Sequence, residues 1–197
     1  MAMQTAANQG IVWVWRYPEE EYDEDCCGPT QISGFRKVRV WGAIRYNKLS
    51  KLVIFPEKEG EGKLDAKEYC DEIIDKELFN FWRDGMEELG DLLIMEDGAP
   101  YHKGVASRRR SEYGWVSWGP GIWPSNSPDL NPIEHVWHIL RNNIRKRVPR
   151  VTTKEDLISA LQEEWERLDV IKVNRLILSM PKRLHAVIQA KGGTTGY

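Results

Sequence analysis

The 197-residue sequence predicts an α/β fold, a mixed sheet flanked by helices, and three observations carry that prediction. Short runs rich in β-branched and aromatic residues occupy the first part of the chain. The run "DLLIMED" (91–97) is apolar, too short for an ordinary helix, and ends in two acids, as a buried strand with a carboxylate at its carboxyl end would. From Asn131 the apolar residues take helical spacing, so the order reads β-β-β-α-β-β-α with further helices behind.

Each element has its own signal. "IVWVWRY" (11–17) is β-branched and aromatic and leads into the acidic, turn-like "PEEEYDEDCCGPT". In "FRKVRVWGAIRY" (35–46) Val38, Val40 and Gly42 alternate with basic residues, as in a strand with one solvated face. "SKLVIFPE" (50–57) is the third strand, closed by the Gly/Glu/Lys-rich "EKEGEGKL". Tyr69, Ile73, Leu78, Phe81 and Trp82 fall at roughly helical intervals and predict a helix over 65–88. After the strand 91–97, "WVSW" (115–118) is a short strand that enters the proline-rich loop "IWPSNSPDLNP". In the helix that follows, Ile133, Val136, Trp137, Leu140 and Ile144 form one apolar face, while Glu134, His138, Arg141 and Arg145 line another. Helices are expected at 153–168 and about 170–190, ahead of the tail "KGGTTGY".

Composition narrows the class. With 41% hydrophobic and 29% charged residues, the chain can bury one sizeable core, and a single domain over 1–197 is expected. A net charge of −2 argues against a uniformly basic surface, leaving local patches to decide any contact with nucleic acid. Cys26, Cys27 and Cys70 give neither a disulfide framework nor a CxxC metal spacing, which points to a reducing, intracellular setting. No run approaches 18 apolar residues, and "MAMQTAANQG" lacks the basic start and apolar core of a signal peptide, so no membrane partner is expected.

Two acids stand out, each with a plainer alternative. Asp97, at a strand end and followed by Gly98 and Pro100, is placed to hold a divalent cation, but Asp-Gly is also a common turn dipeptide. Glu134 stands three residues after Asn131, which with Pro132 reads as a capping box. "SPDLNPIE", however, is longer than capping requires. His102 and His138 lie in no HxxxH or Cys/His cluster and read as polar contacts more readily than as zinc ligands. The basic groups Arg108 to Arg110 and Arg141, Arg145, Lys146, Arg147 and Arg150 are solvated faces or, beside a carboxylate pair, phosphate contacts. Most of the nine tryptophans fit core positions, and Trp115, Trp118 and Trp123 lie near the loop, where they could stack on an unpaired base.

Taken in order, "VWVWRYPEEEYDEDC", "VRVWGAI", "LLIMEDGAPYHK", "WPSNSPDLNPIEHVWHILRNNIRKR" and "SMPKRLHAVIQAKGGTTGY" resemble the catalytic domain of Tc/mariner-type DDE transposases, from about Ile11 to Tyr197. The resemblance implies a ribonuclease-H-like fold in which three carboxylates hold two Mg²⁺ or Mn²⁺ ions for DNA strand cleavage and strand transfer. Motif matching gives Asp97 and Glu134 as the second and third acids, with 36 residues between them (134 − 97 − 1). His102, His138, Arg141, Arg145 and Lys146 are the residues expected to contact nucleic acid. The implied partners are DNA, both transposon ends and target, and a second copy of the chain. In a eukaryote the implied location is the nucleus.

The family's first acid has no match. It would fall at or just before Met1, so the sheet is expected to lack its first central strand and the chain to be inactive by itself. The helix-turn-helix region of such enzymes is likewise unmatched, and the alternative function is a non-catalytic nucleic-acid-binding or interaction module.

Overall fold

The computed structural model describes residues 2–4, 37–55, 65–97, 99–118, 127–193 and 195–196. The expected strand 11–17 lies outside them. The β-branched run in 35–46 forms β2 (Lys37–Trp41), which pairs antiparallel with β5 (Val53–Phe55), Val40 opposite Ile54. The remainder of that run leaves the sheet at Gly42. It makes a two-residue hairpin from β3 (Ile44–Arg45) and β4 (Lys48–Leu49), whose turn uses Asn47 at φ 62°, a conformation asparagine tolerates.

A short strand, β1 (Ala2–Gln4), lies on the other edge of β2, antiparallel, with Ala2 opposite Arg39 and Gln4 opposite Lys37. That edge carries three paired residues, and none of Ala2, Met3 and Gln4 has a carboxylate. The apolar run 91–97 contributes only β6 (Ile94–Met95), which pairs parallel with β7 (Ser117–Trp118) as a separate two-stranded sheet. Trp41 of β2 and Ile94 of β6 both line a cavity of about 980 Å³.

Helices cover both faces of β2. Val38 and Val40 point into a core made with Val136, Trp137 and Leu140 of α4 (Pro132–Arg145), Leu157, Leu161 and Trp165 of α5 (Lys154–Glu166) and Val173 of α6 (Val170–Leu178). On the opposite face Trp41 joins a second core with Phe55, Tyr69, Cys70, Ile73, Ile74, Leu78, Ala106 and Trp115. This is the period-two division of a strand with apolar layers on both sides.

The helix expected over 65–88 is a continuous rod: α1 (Ala66–Tyr69), a π-helical stretch (Cys70–Leu78) and α2 (Phe79–Leu89). Asp65 caps it by accepting from the Glu68 N–H at 2.7 Å, and Gly90 ends it at φ 81°. One helix was not expected: α3 (Val105–Glu112), whose sequence VASRRRSE has no apolar stripe. The stretch 170–190 divides at Ser179 into α6 and α7 (Met180–Gln189), because Pro181 has no N–H to continue the ladder.

Candidate metal centre

Asp97 leaves β6 at its carboxyl end with its side chain 56% exposed. The chain then turns through a 3₁₀ segment, Pro100–His102, entered by proline at the first helical position. This turn brings His102 back onto the acid: Nδ1 lies 2.9 Å from Asp97 Oδ1 and 3.1 Å from the Asp97 carbonyl oxygen. The Ala99 N–H donates to the same Oδ1 at 3.0 Å. The His102 hydrogen bond, assisted by the Ala99 N–H, holds the Asp97 carboxyl below its ordinary range against the opposing effect of burial.

Beneath the turn is a buried polar set. Glu96, 9% exposed, accepts from the Tyr69 hydroxyl at 2.6 Å, and its other oxygen lies 2.7 Å from Arg110 NH1. That second contact is off the line of the N–H, so it is a charge contact more than a directed hydrogen bond. Arg110, 2% exposed, also donates from NH2 to the His102 carbonyl at 2.6 Å. Burial first, and the charge of Glu96 second, push the Tyr69 hydroxyl well above its usual range.

Glu134 arrives from a distant segment. Pro128–Leu130 forms a 3₁₀ turn, and Pro132 starts α4, with the Glu134 N–H donating to the Asn131 carbonyl at 3.1 Å. Asn131 makes no side-chain capping hydrogen bond, so the reciprocal capping box suggested by the sequence does not form. The loop is instead fixed from α7 and the tail behind it: buried Arg183 of α7 donates to the Asp129 carbonyl at 2.5 Å, and Thr195 Oγ1 donates to Asp129 Oδ2 at 2.8 Å.

Asp97 and Glu134 line the same cavity. Burial first, and the negative charge of Asp97 second, hold the Glu134 carboxyl above its ordinary range. Among the described residues the Glu134 carboxylate has no hydrogen-bond or ion-pair partner, although the Arg141 charge pulls weakly in the other direction. Two acids with one uncommitted oxygen set between them fit the chemistry of a hard divalent cation, which takes oxygen ligands and removes their mutual repulsion. Among the described residues no group of three His, Cys, Asp or Glu side chains is close enough to hold a metal, so the acids stand as a pair.

The expected nucleic-acid contacts divide into two groups. His138, Arg141, Arg145 and Lys146 are exposed on α4 and its C-cap, on the helical face that begins with Glu134. His102 is 7% exposed, and its ring belongs to the support of Asp97 and not to an outward surface. The run Arg108–Arg110 is no single patch: Arg108 is exposed, Arg109 pairs with Asp75 and Glu112, and Arg110 is buried on Glu96. Arg147 is engaged with Glu163 and Glu164. Trp115 is 6% exposed and stacks on Tyr113, so it packs in the core and offers no face to a base. Trp123 lies outside the described residues.

Helices pack on both faces of β2, and one acid just past the end of β6 and another in the first turn of α4 line one cavity, an arrangement suited to a carboxylate-held cation. A model of the DDE superfamily endonucleases matches residues 17–158, and the chain belongs to that family. It is 31% identical over 191 residues to the transposable element Tcb1 transposase of Caenorhabditis briggsae, covering 95% of this chain and 64% of that protein. It is 28% identical to the Tc1 transposase of Caenorhabditis elegans, covering 96% of this chain and 65% of the relative. The chain thus spans a little under two thirds of the length of these Tc/mariner-type relatives.

Among solved structures, the Mos1 transposase catalytic domain with Raltegravir and Mn superposes with a TM-score of 0.66 at 17% identity, over 81% of this chain and 78% of that one. The Mos1 mariner paired end complex with Mn gives a TM-score of 0.71 at 16% identity, over 99% of this chain and 55% of that one. At these identities the likeness establishes the fold.

Proposed function

We propose that this chain is the carboxylate platform of a DNA-cleaving and DNA-joining transposase, with Asp97 and Glu134 as two of three acids that hold a pair of Mg²⁺ or Mn²⁺ ions. The observation that carries the reading is that these two acids, with 36 residues between them (134 − 97 − 1), line one cavity in which the charge of Asp97 disfavours ionisation of Glu134. Bound cations would supply Lewis acidity to a phosphate and an activated water or 3′-hydroxyl. The chain's own residues present the acids, Asp97 held by His102 and Glu134 by the Arg183-braced loop. Arg141, Arg145 and Lys146 offer positive charge to the DNA backbone.

No third acid joins Asp97 and Glu134 among the described residues, and on this reading the two alone do not turn over. Continued in register past Ala2, a strand on that edge of β2 would run opposite Val40 and Trp41, two residues that line the cavity. The reading is that this cavity takes the first central strand with its acid. The test extends the chain at its N-terminus by an apolar strand ending in Asp-Glu and follows Mn²⁺-dependent nicking of plasmid DNA. The extended protein should nick and the unextended one should not. Undiminished nicking in extended Asp97→Ala or Glu134→Ala variants would refute the assignment.

A second reading, a non-catalytic DNA-binding module, draws on the exposed Arg141, Arg145 and Lys146, none of which is ion-paired among the described residues. It requires DNA binding that survives Glu134→Ala and loses roughly one unit of salt slope for each of these cations removed.

A further inference from the structure

We propose that His102 is a positioning residue for Asp97: its Nδ1, hydrogen-bonded to the Asp97 carbonyl and 2.9 Å from Oδ1, holds Oδ1 toward the turn and so leaves Oδ2 as the oxygen presented to a cation, and buried Glu96 and Arg110 hold it in that role. Oδ1 accepts from the Ala99 N–H at 3.0 Å and lies 2.9 Å from His102 Nδ1, which is hydrogen-bonded to the Asp97 carbonyl at 3.1 Å, so Oδ1 is the oxygen committed to the turn. Among the described residues Oδ2 has no partner. The carboxylate is therefore oriented before any ligand arrives, and only one of its oxygens is uncommitted.

The tautomer follows from the surroundings. Nδ1 faces two acceptors, the Asp97 carboxylate and the Asp97 carbonyl, so it carries the proton in the neutral ring. Nε2 lies 3.8 Å from Glu96 Oε1, too far for a hydrogen bond. The ring is packed between Tyr69 and Tyr101, with centroids 4.8 Å and 4.6 Å away, which limits its rotation. Its backbone is tied by Arg110 NH2, donating to the His102 carbonyl at 2.6 Å, and Arg110 is itself fixed by Glu96 at 2.7 Å. Glu96, the residue just before Asp97, is 9% exposed while the Asp97 side chain is 56% exposed, so the support lies buried beneath the acid it serves.

Two measurements on the full chain test this. The first is a ¹H–¹⁵N correlation of the histidine rings at pH 8 without metal, with His102 assigned by its loss in His102→Asn. The Nδ1–H tautomer is expected, and the Nε2–H tautomer would overturn the inference. The second is Mn²⁺ titration followed by electron paramagnetic resonance. Loss of an outer-shell partner weakens metal binding about 10-fold or more, which is the expectation for His102→Ala and, through the lost second N–H, for Arg110→Lys.

His102→Asn, whose amide nitrogen reaches the Nδ1 position, should restore wild-type affinity. His102→Gln, which reaches the Nε2 position, should not, and equal affinity of the two would overturn the inference even if His102→Ala fails to fold. Wild-type affinity in Arg110→Lys would overturn the Arg110 part. The metal arm rests on the reading of Asp97 as a ligand; if the wild-type chain binds no Mn²⁺, that reading falls, while the tautomer still decides the inference.

Discussion

Separating Glu96 from Arg110 should be among the most damaging single changes available in this protein. Both are out of water, at 9% and 2% exposure, and each is the other's counter-charge at 2.7 Å. Arg110→Ala leaves a buried carboxylate with only the Tyr69 hydroxyl, and Glu96→Ala leaves a buried guanidinium with only the His102 carbonyl. Breaking such a pair from one side costs about 3–5 kcal/mol. At about 2–4 °C per kcal/mol for a chain of this size, that is a fall in Tm of roughly 6–20 °C. The double variant Glu96→Met/Arg110→Met removes both charges and fills their volume. Its remaining loss is the pair of orphaned partners, the Tyr69 hydroxyl and the His102 carbonyl, at about 1–3 kcal/mol each at most. The double should therefore fall well short of the roughly 6–10 kcal/mol sum of the singles, with a coupling energy of about 3 kcal/mol, the top of the range for residues in contact. Equilibrium urea unfolding, followed by circular dichroism and tryptophan fluorescence with m-values compared, reads all four proteins. Additive costs in the double, or single costs below about 1 kcal/mol, would show that the pair is solvated and that the reasoning from burial is wrong.

Three further outcomes are expected. Glu134→Gln should raise Tm at pH 7.5 and leave it unchanged at pH 4. The sign follows from a folded-state pKa above the unfolded one: the wild type loses stability relative to the amide as pH rises from about 4.5 through the raised value, whereas below both values the two are equivalent. An equal Tm gain at both pH values would mean that charge is not the cause. Gly42→Ala should cost about 1–3 kcal/mol in urea unfolding, because a Cβ there would stand 2.6 Å from Trp165 Cη2 and 3.2 Å from Trp137, which are stacked on each other at 5.3 Å. Thr153→Ala, at the start of α5, removes the hydroxyl that accepts from the Asp156 N–H at 3.1 Å, and a loss of about 1 kcal/mol is expected by the same assay.

The parts of the fold legible in the sequence were those with a strong period. α4 and α5 carry clear apolar stripes, and their observed limits, Pro132–Arg145 and Lys154–Glu166, fall within two residues of the expected ones at their N-terminal ends. α3 was illegible because VASRRRSE buries only Ala106 and Arg110, and Arg110 is buried through its charge on Glu96, which hydrophobic patterning does not register. β6 is only two residues long because the apolar run 91–97 has a ladder partner in β7 alone over Ile94 and Met95. Motif context singled out Asp97 and Glu134, which line one cavity. The burial of His102 against Asp97 was not legible, since a lone histidine has no periodicity to place it. The available signal was its spacing of five residues from Asp97 across Gly98 and Pro100, enough for one tight turn to return the ring to the acid.

The two acids of the cavity are treated oppositely by their surroundings, and the difference bears on what the site is built to receive. Asp97 has His102 and the Ala99 N–H beside one oxygen, and its carboxyl is held below its ordinary range. Glu134 is half-buried beside that fixed negative charge, is held above its ordinary range, and is given no donor among the described residues. A fold selected only for stability would pair Glu134 or replace it, because an unpaired half-buried carboxylate is a cost in every state of the free protein. Its cap-like position does not explain the carboxylate either, since Asn131 makes no reciprocal hydrogen bond. Of the ligands that convert this cost into binding, a cation fits best: it neutralises both acids at once and uses the oxygen of Asp97 that His102 leaves uncommitted. An anionic or neutral ligand would leave the repulsion in place. Glu134→Gln should therefore both restore stability in the free chain and remove the Mn²⁺ affinity proposed for it, and a variant that changed one without the other would separate the acid pair from the metal.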